Sequence, residues 1–315
     1  MAYQLTTRTG RNFYEATSIM QNAIRKGDYD VAGYAMWELI PGYTKYLQKR
    51  LLIISAEDCF GIITKELEPL CNYGTEEALA KALTLMCKCK KNRDADYFTC
   101  NMMFDDNPTG LTSKEIGSLL TTAIRRMNVR ETGNLAAELF SKSRKAFWKT
   151  LKELCQAYYP HLLEEISALE RANNAMTKPA EETIFASKAI VLLWTKRSPV
   201  DGLLGHESFD FYTTLAYDAI DIVKPLDQCP KISGYFPEEY YNWHTTHGKY
   251  DLRLDTIHAT ENDQRLLTPL EENLFDDCSW NRDLTECLKR WNPLRRPIPY
   301  DDGKITVDEK YGKQE

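Results

Sequence analysis

Residues 14–58, YEATSIMQNAIRKGDYDVAGYAMWELIPGYTKYLQKRLLIISAED, decide how this chain is read. Ala16, Ile19, Met20, Ala23 and Ile24 recur at the spacing of one buried helix face. Lys26-Gly27-Asp28 ends that helix with a cation followed by glycine. Ala32, Ala35, Met36, Leu39 and Ile40 repeat the spacing, and Pro41-Gly42 is expected to stop the second helix. Tyr43, Tyr46, Leu47, Leu51 and Ile54 give a third, closed near Gly61. The small residues Ala32, Gly33 and Ala35 let a neighbouring backbone come close.

A degraded copy lies one hundred residues further on. Without gaps, Ala23-Ile24-Arg25 falls on Ala123-Ile124-Arg125, Gly33 on Gly133, and Glu38-Leu39 on Glu138-Leu139. Lys45, Lys49 and Leu51 fall on Lys145, Lys149 and Leu151. A fourth helix is expected in each half, over 76–96 and 181–201. The expectation is an all-α fold of two stacked helical units, each lending a face to the other. A chance match between two amphipathic segments is the alternative.

The bulk numbers fit this. A chain of 315 residues, 43% hydrophobic and 27% charged, can bury a real core. A net charge of −6 argues against a nucleic-acid binder over its whole surface but leaves room for a local basic patch. No run of 18 apolar residues exists, so no membrane span is expected. The first residues, MAYQLTTRTGRN, lack an apolar signal core, and the nine cysteines are scattered. Reduced thiols in a cytoplasmic protein are the expectation.

Three regions follow. Residues 1–101 form unit one, with 1–12 read as a frayed leader, and the turn-rich MMFDDNPTG at 102–110 links it onward. Residues 111–205 form unit two, opened by the capping box Thr112-Ser113-Lys114-Glu115. Pro160 breaks a helix there, and Pro179 suits the first turn of the next. From 206 to 315 the chain is rich in proline and aromatics, with helices expected over 209–223, 261–275 and 282–290, and a mobile polar tail.

The motifs for chemistry are weak. No phosphate-cradling GxxxxGK[ST], GxSxG, HExxH or CxxC pair is present, and no cofactor is expected. Adjacent Glu57 and Asp58 can bind a metal or act as acid and base; Arg50, two turns earlier, makes an ion-pair network the plainer reading. Lys88, Lys90, Lys91 and Arg93 suit a helix C-terminus, or a phosphate. Lys142, Arg144, Lys145, Lys149 and Lys152 have a spacing that places them on one helix face; they can track a nucleic-acid backbone or form a solvated surface. His244 and His247, three apart, can bind zinc with Cys278 or Cys287; a turn packed by aromatics is the plainer reading, and no metal is expected.

Taken together, Ile24-Arg25, Gly27-Asp28, Ala32, Tyr34, Trp37 and Leu39, followed by Arg50-Leu51 and Glu57-Asp58, carry a resemblance. The stretch resembles the C-terminal helical domain of the MgsA/RarA family, replication-associated recombination AAA+ ATPases related to the clamp-loader collar. The run Lys90-Lys91-Asn92-Arg93 is similar to that family's string after its next helix, and His244-Thr245 with Gly248 to one near the end of some members. Ser55-Ala56 reverses the usual order. The likeness covers 14–100 well and 240–250 weakly. It implies a collar-like role in assembly: a homo-oligomer, or a partner of a replication or recombination ATPase or of DNA. The family's ATPase and lid domains have no counterpart here, so ATP hydrolysis is not implied. The second unit lies outside the family pattern.

Overall fold

Asn12 begins the first element. Its side chain accepts from the amides of Tyr14 and Glu15, capping α1 (Phe13–Lys26). Gly27, at φ 74°, closes that helix in the left-handed conformation glycine adopts at no steric cost. Asp28 then caps α2 (Tyr29–Asp58) by accepting from Val31. The chain is an all-α protein, described here from a computed structural model that covers residues 5–59, 63–89, 109–126, 128–177, 179–195 and 223–237, with 95, 98, 99, 102, 240 and 241.

Pro41-Gly42 interrupts α2 as expected: two helical stretches meet across a kink at Tyr43, which is non-helical at φ −130° and ψ 24°. Proline cannot donate to the carbonyl one turn back, and this weakens the ladder at that point. The kink is held from outside: Tyr43 packs on Phe13 at 4.4 Å and donates to the Thr6 carbonyl at 2.9 Å.

After α2 come α3 (Ile63–Tyr73) and α4 (Glu76–Lys88). The sequence reading assigned no helix to 63–73, and it ran the next helix to 96, whereas α4 ends at Lys88. Ala95, Phe98, Thr99 and Met102 are again helical and buried, so Met102 is not part of the linker expected from it onward. The second half holds α5 (Ser113–Arg126), α6 (Val129–Lys142), α7 (Arg144–Tyr158), α8 (Leu163–Asn174) and α9 (Pro179–Thr195). Thr112 and Glu115 close the expected capping box, the carboxylate accepting the Thr112 amide at 2.8 Å. A short 3-10 turn at Pro160–Leu162 separates α7 from α8.

One core runs through both halves. Its spine is the mostly apolar α9, buried on every side from Ile184 to Trp194, where Ser187 accepts from Thr99 and Lys188 donates to the Cys59 carbonyl. It packs on α8, α2 and α5, while α3 packs on α8. Where the two halves meet, Lys65 faces Glu165 at 3.5 Å, and Arg171 grips Glu68 at 2.9 Å.

Two expectations about the ends need correction. Residues 5–12 are not a frayed leader: an isolated bridge joins Thr6 and Asn12, and Thr7 and Thr9 are tied to Glu38. Residues 223–237 with 240 and 241 are packed along α1 and α2, with Leu226, Cys229, Phe236 and Tyr241 buried. The helices expected over 209–223, 261–275 and 282–290 fall on or almost wholly on residues outside those described. Among the described residues every regular element is helical, and no helix is long and apolar enough to cross a membrane.

Candidate interaction site

Gln21, Asn22 and Arg25 project from one side of the last turns of α1, because residues three and four apart share a face. Arg50, Glu57 and Asp58 come to meet them from the end of α2. The Gln21 amide nitrogen donates to Glu57 at 2.7 Å and to Asp58 at 2.8 Å, and its oxygen accepts from Arg50. Arg25 donates to the other Asp58 oxygen at 2.7 Å and to Asn22 at 3.1 Å. Arg50 also lies 3.8 Å from Glu57. Asp58 is 0% exposed. A carboxylate taken out of water needs such compensation, and here both its oxygens are engaged. The arrangement locks two helices together. It presents no open face of Asp58 to a substrate.

A second cluster surrounds Glu38, also 0% exposed. It accepts from Thr7, from the amide and hydroxyl of Thr9, and from the Tyr34 hydroxyl at 2.6 Å. Burial pushes the Glu38 carboxyl up, but the donors Tyr34, Thr9 and Thr7 outweigh it and hold its pKa below the ordinary value. The same cluster raises the Tyr34 phenol, first through burial and then through Glu38. Tyr34 and Trp37 stack at 5.8 Å, Arg8 lies 3.9 Å over the Trp37 ring, and Lys231 approaches it at 5.8 Å.

The chain matches no protein-family model, no curated protein and no solved structure. The site must therefore be read from its own geometry. Of the residues singled out from the sequence, Arg25, Arg50, Glu57 and Asp58 are brought into one network, and Tyr34 and Trp37 into another. Lys90, Lys91, Arg93, His244, Thr245 and Gly248 lie outside the described residues.

The basic run is divided between two helices. Ser143 separates α6 from α7, so Lys142 ends the former and donates to the Leu111 carbonyl. On α7, Arg144 pairs with Glu182, Lys149 with Glu153 at 3.6 Å, and Lys152 with Glu170 at 2.6 Å. Lys145 is exposed. Among the described residues, no three His, Cys, Asp or Glu side chains are grouped to hold a metal.

Gln21, Asn22, Glu38, Thr7 and Thr9 were missed, and so was Arg11, which lies 3.6 Å from Glu38. Gln21 carried a signal, being four residues before Arg25 on a helix whose buried face it shares. Glu38 carried one too, as half of the matched pair Glu38-Leu39 and Glu138-Leu139.

A few local contacts are found again one hundred residues on. Thr109 binds Glu138 through its amide at 3.1 Å and its hydroxyl at 2.9 Å, as Thr9 binds Glu38. Arg125 lies 4.1 Å over the Tyr158 ring and donates to its hydroxyl, where Arg25 meets Asp58. The amides of Asp28 and Asn128 bond the carbonyls of Ala23 and Ala123, and each side chain caps the helix that follows.

Proposed function

We propose that this chain is a non-catalytic helical interaction protein made of two collar-like units. On this reading it is related to the collar of replication and recombination AAA+ ATPases, and it self-associates or docks on such an ATPase in DNA replication, recombination or repair. The observation that carries the reading is how the family-like residues are used. Arg25, Arg50, Glu57 and Asp58 close a joint between helices; one hundred residues on, a Thr–Glu clasp is found again and Arg125 meets the Tyr158 ring where Arg25 meets an acid.

The duplication reading gains support from the boundary between the halves. Lys65 and Glu165 occupy the same place in the two units and face each other at 3.5 Å. A two-fold relation puts equivalent positions opposite one another at its axis. One chain then holds a pseudo-dimer of collar-like units, and further assembly uses other faces. Size-exclusion chromatography with light scattering, together with pull-downs, tests the proposal. A defined oligomer or a captured ATPase is the expected result. A strict monomer that captures neither an ATPase nor DNA overturns it.

A further inference from the structure

The segment formed by 223–237 with 240 and 241 is held on unit one through both its main chain and its side chains. Tyr29 donates to the Lys224 carbonyl at 2.6 Å, and Asn22 donates to that of Tyr240 at 2.8 Å. The two terminal nitrogens of Arg11 donate to the carbonyls of Gly234 and Ile232. Four backbone oxygens are thus read by three side chains of unit one. Between these contacts the segment sets its own side chains into seats. Cys229 lies in a notch at Gly33, where an added Cβ would stand 2.5 Å from its sulfur. Phe236 lies beneath the Arg11 guanidinium at 4.7 Å, and Leu226 is buried beside Gly33. Tyr240 donates to Asp28, Lys26 sits over its ring at 4.8 Å, and Lys224 pairs with Asp30.

Pro225, Pro230 and Pro237 keep the segment from forming a longer helix than the short 3-10 turn at Leu226–Gln228 and the one that ends at Tyr240. Main-chain hydrogen bonds that give affinity, with pockets for spaced side chains that give specificity, are the working parts of an extended-peptide site. We infer that the outer face of α1 and α2, with Arg11, is a binding site for an irregular, proline-bounded peptide. Residues 223–237 with 240 and 241 fill it in cis, and the same segment of a second copy can take their place. Residues 196–222, which join α9 to the segment, span roughly 90 Å at full extension, enough to reach a neighbouring molecule. Such an exchange makes an oligomer from contacts that already exist. A tethered ligand faces its site at an effective concentration on the order of millimolar, so the resident segment excludes a competitor until it is weakened.

This inference supplies a route to the self-association proposed above, yet it fails separately, because peptide binding is read on a monomer as readily as on an oligomer. The test uses the full chain carrying Leu226→Ala and Phe236→Ala, both in the segment and neither in the site. A fluorescent synthetic peptide of residues 223–241 is titrated and followed by anisotropy. Saturable binding at least tenfold tighter than to the native chain is expected. Adding Gly33→Ala to the variant should abolish binding of that peptide and accept one in which Cys229 is replaced by glycine. Absence of saturable binding to a variant that keeps its helical circular dichroism overturns the inference, as does failure of the glycine–cysteine pairing. Should the variant lose its helices, the native chain decides. Under native conditions iodoacetamide should modify Cys229 at least tenfold faster than Cys71, and equal rates overturn the inference.

Discussion

Removing the Asp58 carboxylate by Asp58→Ala strands the Arg25 guanidinium, whose side chain is only 9% exposed, along with one hydrogen bond of Gln21. Breaking a buried pair from one side costs about 3–5 kcal/mol, since the other charge stays buried without its partner. Against a total stability of about 5–15 kcal/mol, this is a large part of what holds the fold. At about 2–4 °C per kcal/mol it lowers the melting temperature by about 6–20 °C. Arg25→Met should cost a similar amount. The double variant Arg25→Met with Asp58→Leu removes both charges and should be far milder, because a buried ion pair gains little over well-packed apolar groups. Urea unfolding followed by circular dichroism completes the cycle. The single losses should exceed the double loss by at least about 2 kcal/mol when summed. A cost below about 1 kcal/mol for Asp58→Ala, or simple additivity, refutes the assignment of this joint as a structural lock.

The two Thr–Glu clasps give a matched comparison. Glu38→Ala should cost about 2–3 kcal/mol because Tyr34, Thr7 and Thr9 lose a buried acceptor, while Glu138→Ala, whose bonds are exposed, should cost under about 1 kcal/mol by the same urea assay. The lowered Glu38 pKa fixes the sign of a pH effect: its contribution is present above the ordinary carboxyl value of 4.5 and is lost as pH falls through the lower folded value. Urea midpoints taken from about pH 6 to about pH 3 should therefore show the gap between the native chain and Glu38→Gln narrowing as acid is added. Phe13→Ala should cost about 3–5 kcal/mol and free the Tyr43 ring, seen as a changed near-ultraviolet dichroism, since Phe13 packs on Tyr14, Tyr43 and Tyr46.

Most of the helices were legible because their signals are local: Thr112 accepts from the Glu115 amide within one turn, and the apolar spacing of Ile19, Met20, Ala23 and Ile24 needs only one helix face. The break at Pro41-Gly42 was legible in its proline and glycine, but the packing of Tyr43 on Phe13, thirty residues away, was not. Helix α3 was missed because Pro69 sits inside it, where proline reads as a breaker. The network around Asp58 was half visible. The charges at Arg50, Glu57 and Asp58 stand out in the sequence, but the Gln21 amide that joins them carries no charge to betray it. Residues 223–241 gave the least warning. They are held in part through backbone oxygens, and every residue has one of those.

The tie between Arg11 and the carbonyls of Ile232 and Gly234 also sets an order of events during synthesis. Unit one leaves the ribosome first, but the chain that covers its outer face is made more than two hundred residues later. At about 5–20 residues per second, that face stays bare for roughly 10–40 s. During that interval Trp37, Tyr34 and the Gly33 notch are open to whatever else the cell offers.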